Sequence, residues 1–145
     1  MNLIWGAVLT VFSLIGWIGQ VITAFSPKAA VKLGLTEPES DVDPTFYADG
    51  RGESIWDTMI LWPLPAAGIL LMLNNPSWAY FGLAGGGMYL YFAGRGILTR
   101  LTMQRRGIRV GTPKTLTSAY VFLSLFGTAG MVTIIMAVAA LPLPG

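Results

Sequence analysis

Apolar positions along this chain fall into four long blocks separated by polar stretches. The first runs from about Leu3 to Phe25 with Gln20 as its most polar member, and at 1.5 Å per residue it crosses a hydrocarbon core of ~30 Å. The second runs from about Ile55 to Leu73, where Asn74-Asn75-Pro76-Ser77 stops it with turn formers. The third begins at once, at Trp78, and reaches about Leu98, so blocks two and three make a tight hairpin. The fourth runs from about Leu116 to Leu141 and ends in Pro142-Leu143-Pro144-Gly145, which cannot continue a helix. The pattern predicts an all-α integral membrane protein: one four-helix bundle over residues 1–145, with transmembrane helices at about 3–25, 55–73, 78–98 and 116–141. The polar connections are then about 26–54 and 99–115.

The distribution of charge orients the bundle. All seven acids lie between Glu37 and Asp57, in or at the edge of the first connection with Lys28, Lys32 and Arg51, while Arg95, Arg100, Arg105, Arg106, Arg109 and Lys114 surround the third connection. The second connection has no charged side chain. Because Lys and Arg are retained on the cytoplasmic side, both polar connections are expected in the cytoplasm and both termini outside. The first block is expected to be a reverse anchor rather than a cleaved signal, since its positive flank follows it. Trp5, Trp78 and Tyr80 fall at the outer interface in this arrangement, Trp56 and Tyr120 at the inner one. The net charge of +2 conceals a first connection at −4 opposite a third at +6, and the two are expected to dock.

Composition removes most alternatives. At 54% hydrophobic and 11% charged, against about one quarter charged in soluble domains, the chain has no water-soluble fold available. Without histidine or cysteine it has no thiolate or imidazole metal ligand, no His base and no disulfide. No nucleic-acid partner is expected, because the basic excess belongs to a membrane topology.

What remains is a short set of candidates. Ser26-Pro27 opens a short surface helix that Gly34 ends. The acids and prolines from Glu37 to Pro44 predict an extended segment, and their spacing is not that of a calcium loop. Glu53 and Asp57, entering the second span, and Arg95 and Arg100, leaving the third, share a depth, so at least one membrane-edge ion pair among these four is expected. Arg105, Arg106 and Arg109 form a basic cluster for anionic lipid or an acidic partner. Pro63 and Pro65 free the carbonyls of Met59 and Leu61 and predict a kink. Gly82, Gly85 and Gly86 predict close helix packing, with Gly16 and Gly19 or Gly127 and Gly130 as the matching surface, or else contact with a hydrophobic ligand. Tyr89, Tyr91 and Gln20 are the side chains able to hydrogen-bond a lipid head group or a quinone carbonyl.

Phe25-Ser26-Pro27, then Leu33-Gly34-Leu35, the hairpin, Gly94-Arg95-Gly96, and Gly107, Gly111 and Pro113 before the last span give a layout that resembles the bacterial four-span proteins grouped as DoxX-like. The resemblance covers the whole chain as an order of features and implies a four-helix bundle in a bacterial inner (plasma) membrane. For some members it implies a link to quinone or sulfur redox chemistry, which a chain without Cys or His does not perform with its own side chains.

The expected function is a non-catalytic multi-pass protein, an accessory or assembly subunit of a larger membrane complex, in contact with membrane lipids and other membrane-protein subunits. The alternative is a small lipid- or quinone-binding membrane protein, redox-linked in some versions; a channel or transporter comes third, because the spans lack intramembrane charge. No cofactor is expected, with lipid, quinone or carotenoid as the candidate bound molecules.

Overall fold

The structure, a computed structural model, describes residues 2–141; the Pro142–Gly145 ending lies outside the described residues. It is all-α, with no strand among the described residues. Helix α1 spans Asn2–Phe25, α2 Pro27–Lys32, α3 Pro44–Ile60, α4 Pro63–Met72, α5 Trp78–Arg105 and α6 Pro113–Ala140. Three helical stretches are long and apolar enough to cross a membrane: Asn2–Phe25, Pro44–Met72 and Pro113–Ala140. Helix α5 has 28 residues, about 42 Å of helix, but is less apolar because glycine stands at many positions where its neighbours carry aliphatic chains.

Three stretches differ from the sequence pattern, and in each a helix starts at a proline. The connection expected over 26–54 is mostly helical, because Pro44 does not end an extended segment; it occupies the first turn of α3. Asp43 is extended and accepts the Thr45 amide at 2.8 Å, the N-cap geometry that a proline in the next position completes. Only Glu39–Asp41 forms a separate single 3-10 turn. At the other end of α3 the expected kink is a break: Leu61 and Trp62 lie outside both helices and α4 restarts at Pro63. The connection expected over 99–115 shrinks to Arg106–Thr112, since α5 continues to Arg105 and α6 starts at Pro113.

The turns close as their residue types require. Asn74 takes a positive φ of 52°, its amide bonds Leu71 and that of Asn75 bonds Leu70, a Schellman ending of α4. Gly34 and Gly107 end α2 and α5 in the same way, with φ of 69° and 74°. Asn2 reaches Asn74 at 3.1 Å, so the start of α1 and the hairpin turn share one end. The connections before α3 and after α5 meet at the other, where Asp43 N–H donates to the Arg109 carbonyl at 2.8 Å beside buried Val42 and Val110.

Helix α5 lies between α4 and α6, and α1 packs across α3 and α4. The crossings are glycine contacts. A β-carbon on Gly86 would stand 2.8 Å from the Gly130 carbonyl oxygen, and one on Gly130 2.6 Å from that of Gly86. Gly6 and Gly68 meet in the same reciprocal way at 2.7 and 2.8 Å. A β-carbon on Gly85 would stand 2.7 Å from Leu64 Cα. Helices α1 and α6 touch mainly through rings: Phe12 and Phe126 have centroids 4.6 Å apart, and Tyr89 and Phe92 pack edge-on against Phe126 at 5.8 and 6.1 Å.

Gly86→Leu forces a side chain against a backbone that cannot move aside, and is expected to cost about 1–3 kcal/mol of stability in detergent. Gly87→Leu, next in the chain but facing open space, is expected to change stability by less than about 0.5 kcal/mol. Equal losses from the two in a thermal or denaturant-detergent titration would refute the backbone contact.

Candidate functional site

Once Pro44 is the start of a helix, Asp49, Glu53 and Asp57 are four residues apart and lie on one face of α3. That face meets α5. Arg95 places one guanidinium nitrogen 2.7 Å from Asp49 Oδ1 and another 2.7 Å from Glu53 Oε1. The Glu53 contact is a close ion pair whose angle departs from that of a good hydrogen bond, as neither atom counts as hydrogen-bonded. The structure thus brings Glu53 and Arg95 together, adds Asp49, and leaves Asp57 and Arg100 outside any ion pair among the described residues. Asp49 was legible only through the helical spacing that an earlier start to α3 would have provided.

Arg100 takes a different role. Its guanidinium lies 5.3 Å from the Phe46 ring centroid and donates to the Gly96 carbonyl at 2.9 Å, a cation–π contact joining α5 to the start of α3. Asp57 sits one turn deeper than Glu53, is 2% exposed, and its Oδ2 has no hydrogen-bond partner among the described residues. Asp57, expected at the entry of the second span, is enclosed between helices near the end of α3.

Polar groups near the break are satisfied locally. The Trp17 indole N–H donates to the Thr58 carbonyl at 2.8 Å, supplying a donor where the helix ladder is about to stop. Tyr89, fully buried, donates its hydroxyl to the Ser13 carbonyl at 2.5 Å, so it is engaged within the bundle rather than presented to a ligand. Among the described residues the four buried serine and threonine hydroxyls all turn back on their own helices: Thr10 to Gly6, Ser13 to Leu9, Ser54 to Gly50 and Thr133 to Ala129, at 2.6–2.8 Å. A hydroxyl held this way is a donor to a carbonyl of its own helix.

The hydrophobic-ligand candidates are taken up by protein. Pro63, Leu64 and Pro65 are buried, Gly85 lies against the Leu64 backbone, Gly86 against Gly130, and Gly82 against Thr133 and Ala137. A ring or isoprenoid chain would have to displace helix backbone to reach these faces. Of the expected matching glycines, Gly130 serves Gly86; Gly16 instead receives the Phe126 and Tyr89 rings, and Gly127 receives Ala93.

The acidic and basic connections dock, and beyond the Arg95 pairs with Asp49 and Glu53 they do so without ion pairs among the described residues. Glu37 accepts from the Thr112 amide at 3.2 Å and from the Thr115 hydroxyl, while Asp43 caps α3, where the Thr45 amide and hydroxyl hold its carboxyl below the usual carboxylate range. Among the described residues no carboxylate is within ion-pair distance of Arg105, Arg106 or Arg109, which are exposed.

An open groove of about 510 Å³ lies at this polar end, between α2, the segment Thr36–Val42 and α3. Lys28, Lys32 and Arg51 line it, with Glu37 and Glu39, over walls that include Val31, Val42 and Phe46. None of the three bases was singled out from the sequence, because the groove exists only when α3 starts early enough to face α2.

No family model, curated protein or solved structure matches the chain.

Arg95→Gln leaves Asp49 and Glu53 facing each other's charge without a cation. With the side chains 15–31% exposed, solvent screens part of the loss, and the expected cost is about 1–3 kcal/mol. Adding Glu53→Gln should recover part of it, so a double-mutant cycle on the detergent-solubilised protein yields a coupling energy of the favourable sign. Additive losses would show that the two residues do not act as a pair.

Proposed function

We propose that this chain is a non-catalytic, four-span membrane protein that serves as an accessory or assembly subunit of a larger membrane complex. The observation that carries this reading is the use of its buried polar chemistry. Buried hydroxyls are bonded back to their own helices, Tyr89 is bonded to Ser13, and the glycine and proline faces hold neighbouring helices. Apart from Asp57 Oδ2 and the Trp5 indole N–H, buried without a hydrogen-bond partner among the described residues, what is left free is outside: apolar side chains such as Ile4, Val11, Ile15, Phe122, Leu125 and Ile135 around the bundle, and the exposed Arg105, Arg106 and Arg109 at one end.

In this proposal α5 is the fourth span. Its lower hydropathy is supported by its position between α4 and α6, where glycine serves packing and lipid contact is reduced. Both polar connections face the cytoplasm, on the positive-inside argument, and the DoxX-like layout agrees in architecture, with the bacterial inner membrane as the setting. Arg105, Arg106 and Arg109 are the residues offered to anionic lipid or an acidic partner surface.

Because the chain has no cysteine, single cysteines report topology directly. Ser77→Cys should react with a membrane-impermeant maleimide on spheroplasts, whereas Ser40→Cys and Arg106→Cys should react only after permeabilisation; the opposite pattern inverts the orientation. Purification from native membranes in mild detergent, with associated proteins identified, tests the subunit role. Recovery of a monodisperse chain without any stoichiometric partner would rule it out.

A further inference from the structure

We propose that the groove between α2, Thr36–Val42 and α3 is a binding site for an anionic phospholipid, with Lys28, Lys32 and Arg51 on its phosphate and Val31, Val42 and Phe46 against the start of its acyl chains. This rests on the membrane reading above and adds to it a ligand, a site and residues.

Three observations converge on it. The first is charge: Lys28 and Lys32 are one turn apart on α2 and so share a face, Arg51 reaches across from α3, and among the described residues none of the three has a carboxylate within ion-pair distance. Of the two acids lining the groove, Glu37 is already engaged by Thr112 and Thr115. Arg51 donates one N–H to the Thr23 carbonyl at 2.5 Å, which fixes the guanidinium at the groove wall and leaves it further donors.

The second is the wall itself. Gly50 lines the groove from within α3, where glycine weakens a helix. A side chain there would meet nothing within 4 Å, so no helix crossing accounts for the glycine. The room it leaves belongs to the groove. The third is location. Phe25, the last residue of α1, and Leu33, just after α2, are 71% and 63% exposed, an apolar edge that suits the membrane interface, where phosphate head groups are. A groove lined by both cationic and apolar side chains matches an amphiphile rather than a small anion.

The test uses the full chain in nanodiscs of mixed phosphatidylglycerol and phosphatidylcholine, released for native mass spectrometry. The expected result is one retained phosphatidylglycerol. At roughly fivefold per basic residue, Lys28→Gln with Lys32→Gln should reduce retention about 25-fold. Gly50→Leu, which fills open space and suits a helix better than glycine, should abolish retention while thermal stability is kept. Lys114→Gln, which removes an exposed base that does not line the groove, should leave the retained lipid in place. Equal retention of both lipids, or retention unaffected by Gly50→Leu and by the lysine pair, would overturn the site. Displacement by inorganic phosphate would assign the groove to a soluble phosphate and overturn the lipid. Failure of the chain to enter nanodiscs would overturn the membrane reading itself, whereas entry without lipid selection overturns only the groove.

Discussion

In a bilayer an apolar side chain gains little by leaving lipid for protein, so helices of this kind are held together by what lipid cannot supply: close backbone approach and hydrogen bonds between helices. The reciprocal contacts of Gly6 with Gly68 and of Gly86 with Gly130 provide the first. They fix α1 on α4 and α5 on α6, and the Gly85–Leu64 contact joins the two pairs. The second comes from Tyr89 on Ser13 and Trp17 on Thr58, which tie α1 to α5 and to α3. Chemistry at the polar end depends on these contacts, because Arg95 meets α3 only if α5 is held at that depth and rotation.

Much of this was legible in the sequence, and the part that was not has a common cause. Hydrocarbon thickness fixes how long an apolar block must be, so the ends of α1 and the hairpin at Asn74–Ser77 followed directly from pattern. Glycines at small-xxx-small spacing announced close packing on α5, yet spacing alone does not say which neighbour arrives. Gly130 faces Gly86, whereas Gly16 holds a ring and Gly85 the first turn of α4. Pro44 is the sharper case: after a run of acids and prolines it reads as a stop, but a capping aspartate before it makes the same residue a start. From that one reversal follow the helical phase of Asp49, Glu53 and Asp57, the pairing of Asp49 with Arg95, and the groove lined by Gly50 and Arg51.

The meeting of the two connections shows why net charge is a poor guide to contact. An acidic segment and a basic one do lie together, but beyond the Arg95 pairs with Asp49 and Glu53 the contacts are the Asp43–Arg109 backbone bond, Glu37 with two threonines, and buried Val42 and Val110. Exposed lysines and arginines lose side-chain freedom on pairing and gain little in water. A threonine or an amide already fixed by a helix start gives a carboxylate the same hydrogen bond at lower entropic cost. The basic side chains therefore remain available at the surface.

The break at Leu61–Trp62 explains how one polypeptide segment satisfies two unlike neighbours. Before it, α3 carries acids spaced for an arginine on α5; after it, α4 carries Pro63, Pro65 and Gly68 placed for close contact with α5 and α1. A continuous helix would hold both faces in a single rotational phase, and the two would not point where their partners are. Interrupting the helix frees the phase, at the cost of backbone carbonyls that lipid cannot satisfy. Trp17 donates to one of these, at Thr58, from the helix against which α3 packs. The same indole contact that makes the break tolerable also sets how α3 lies on α1, and thereby the depth at which Asp49 and Glu53 meet Arg95.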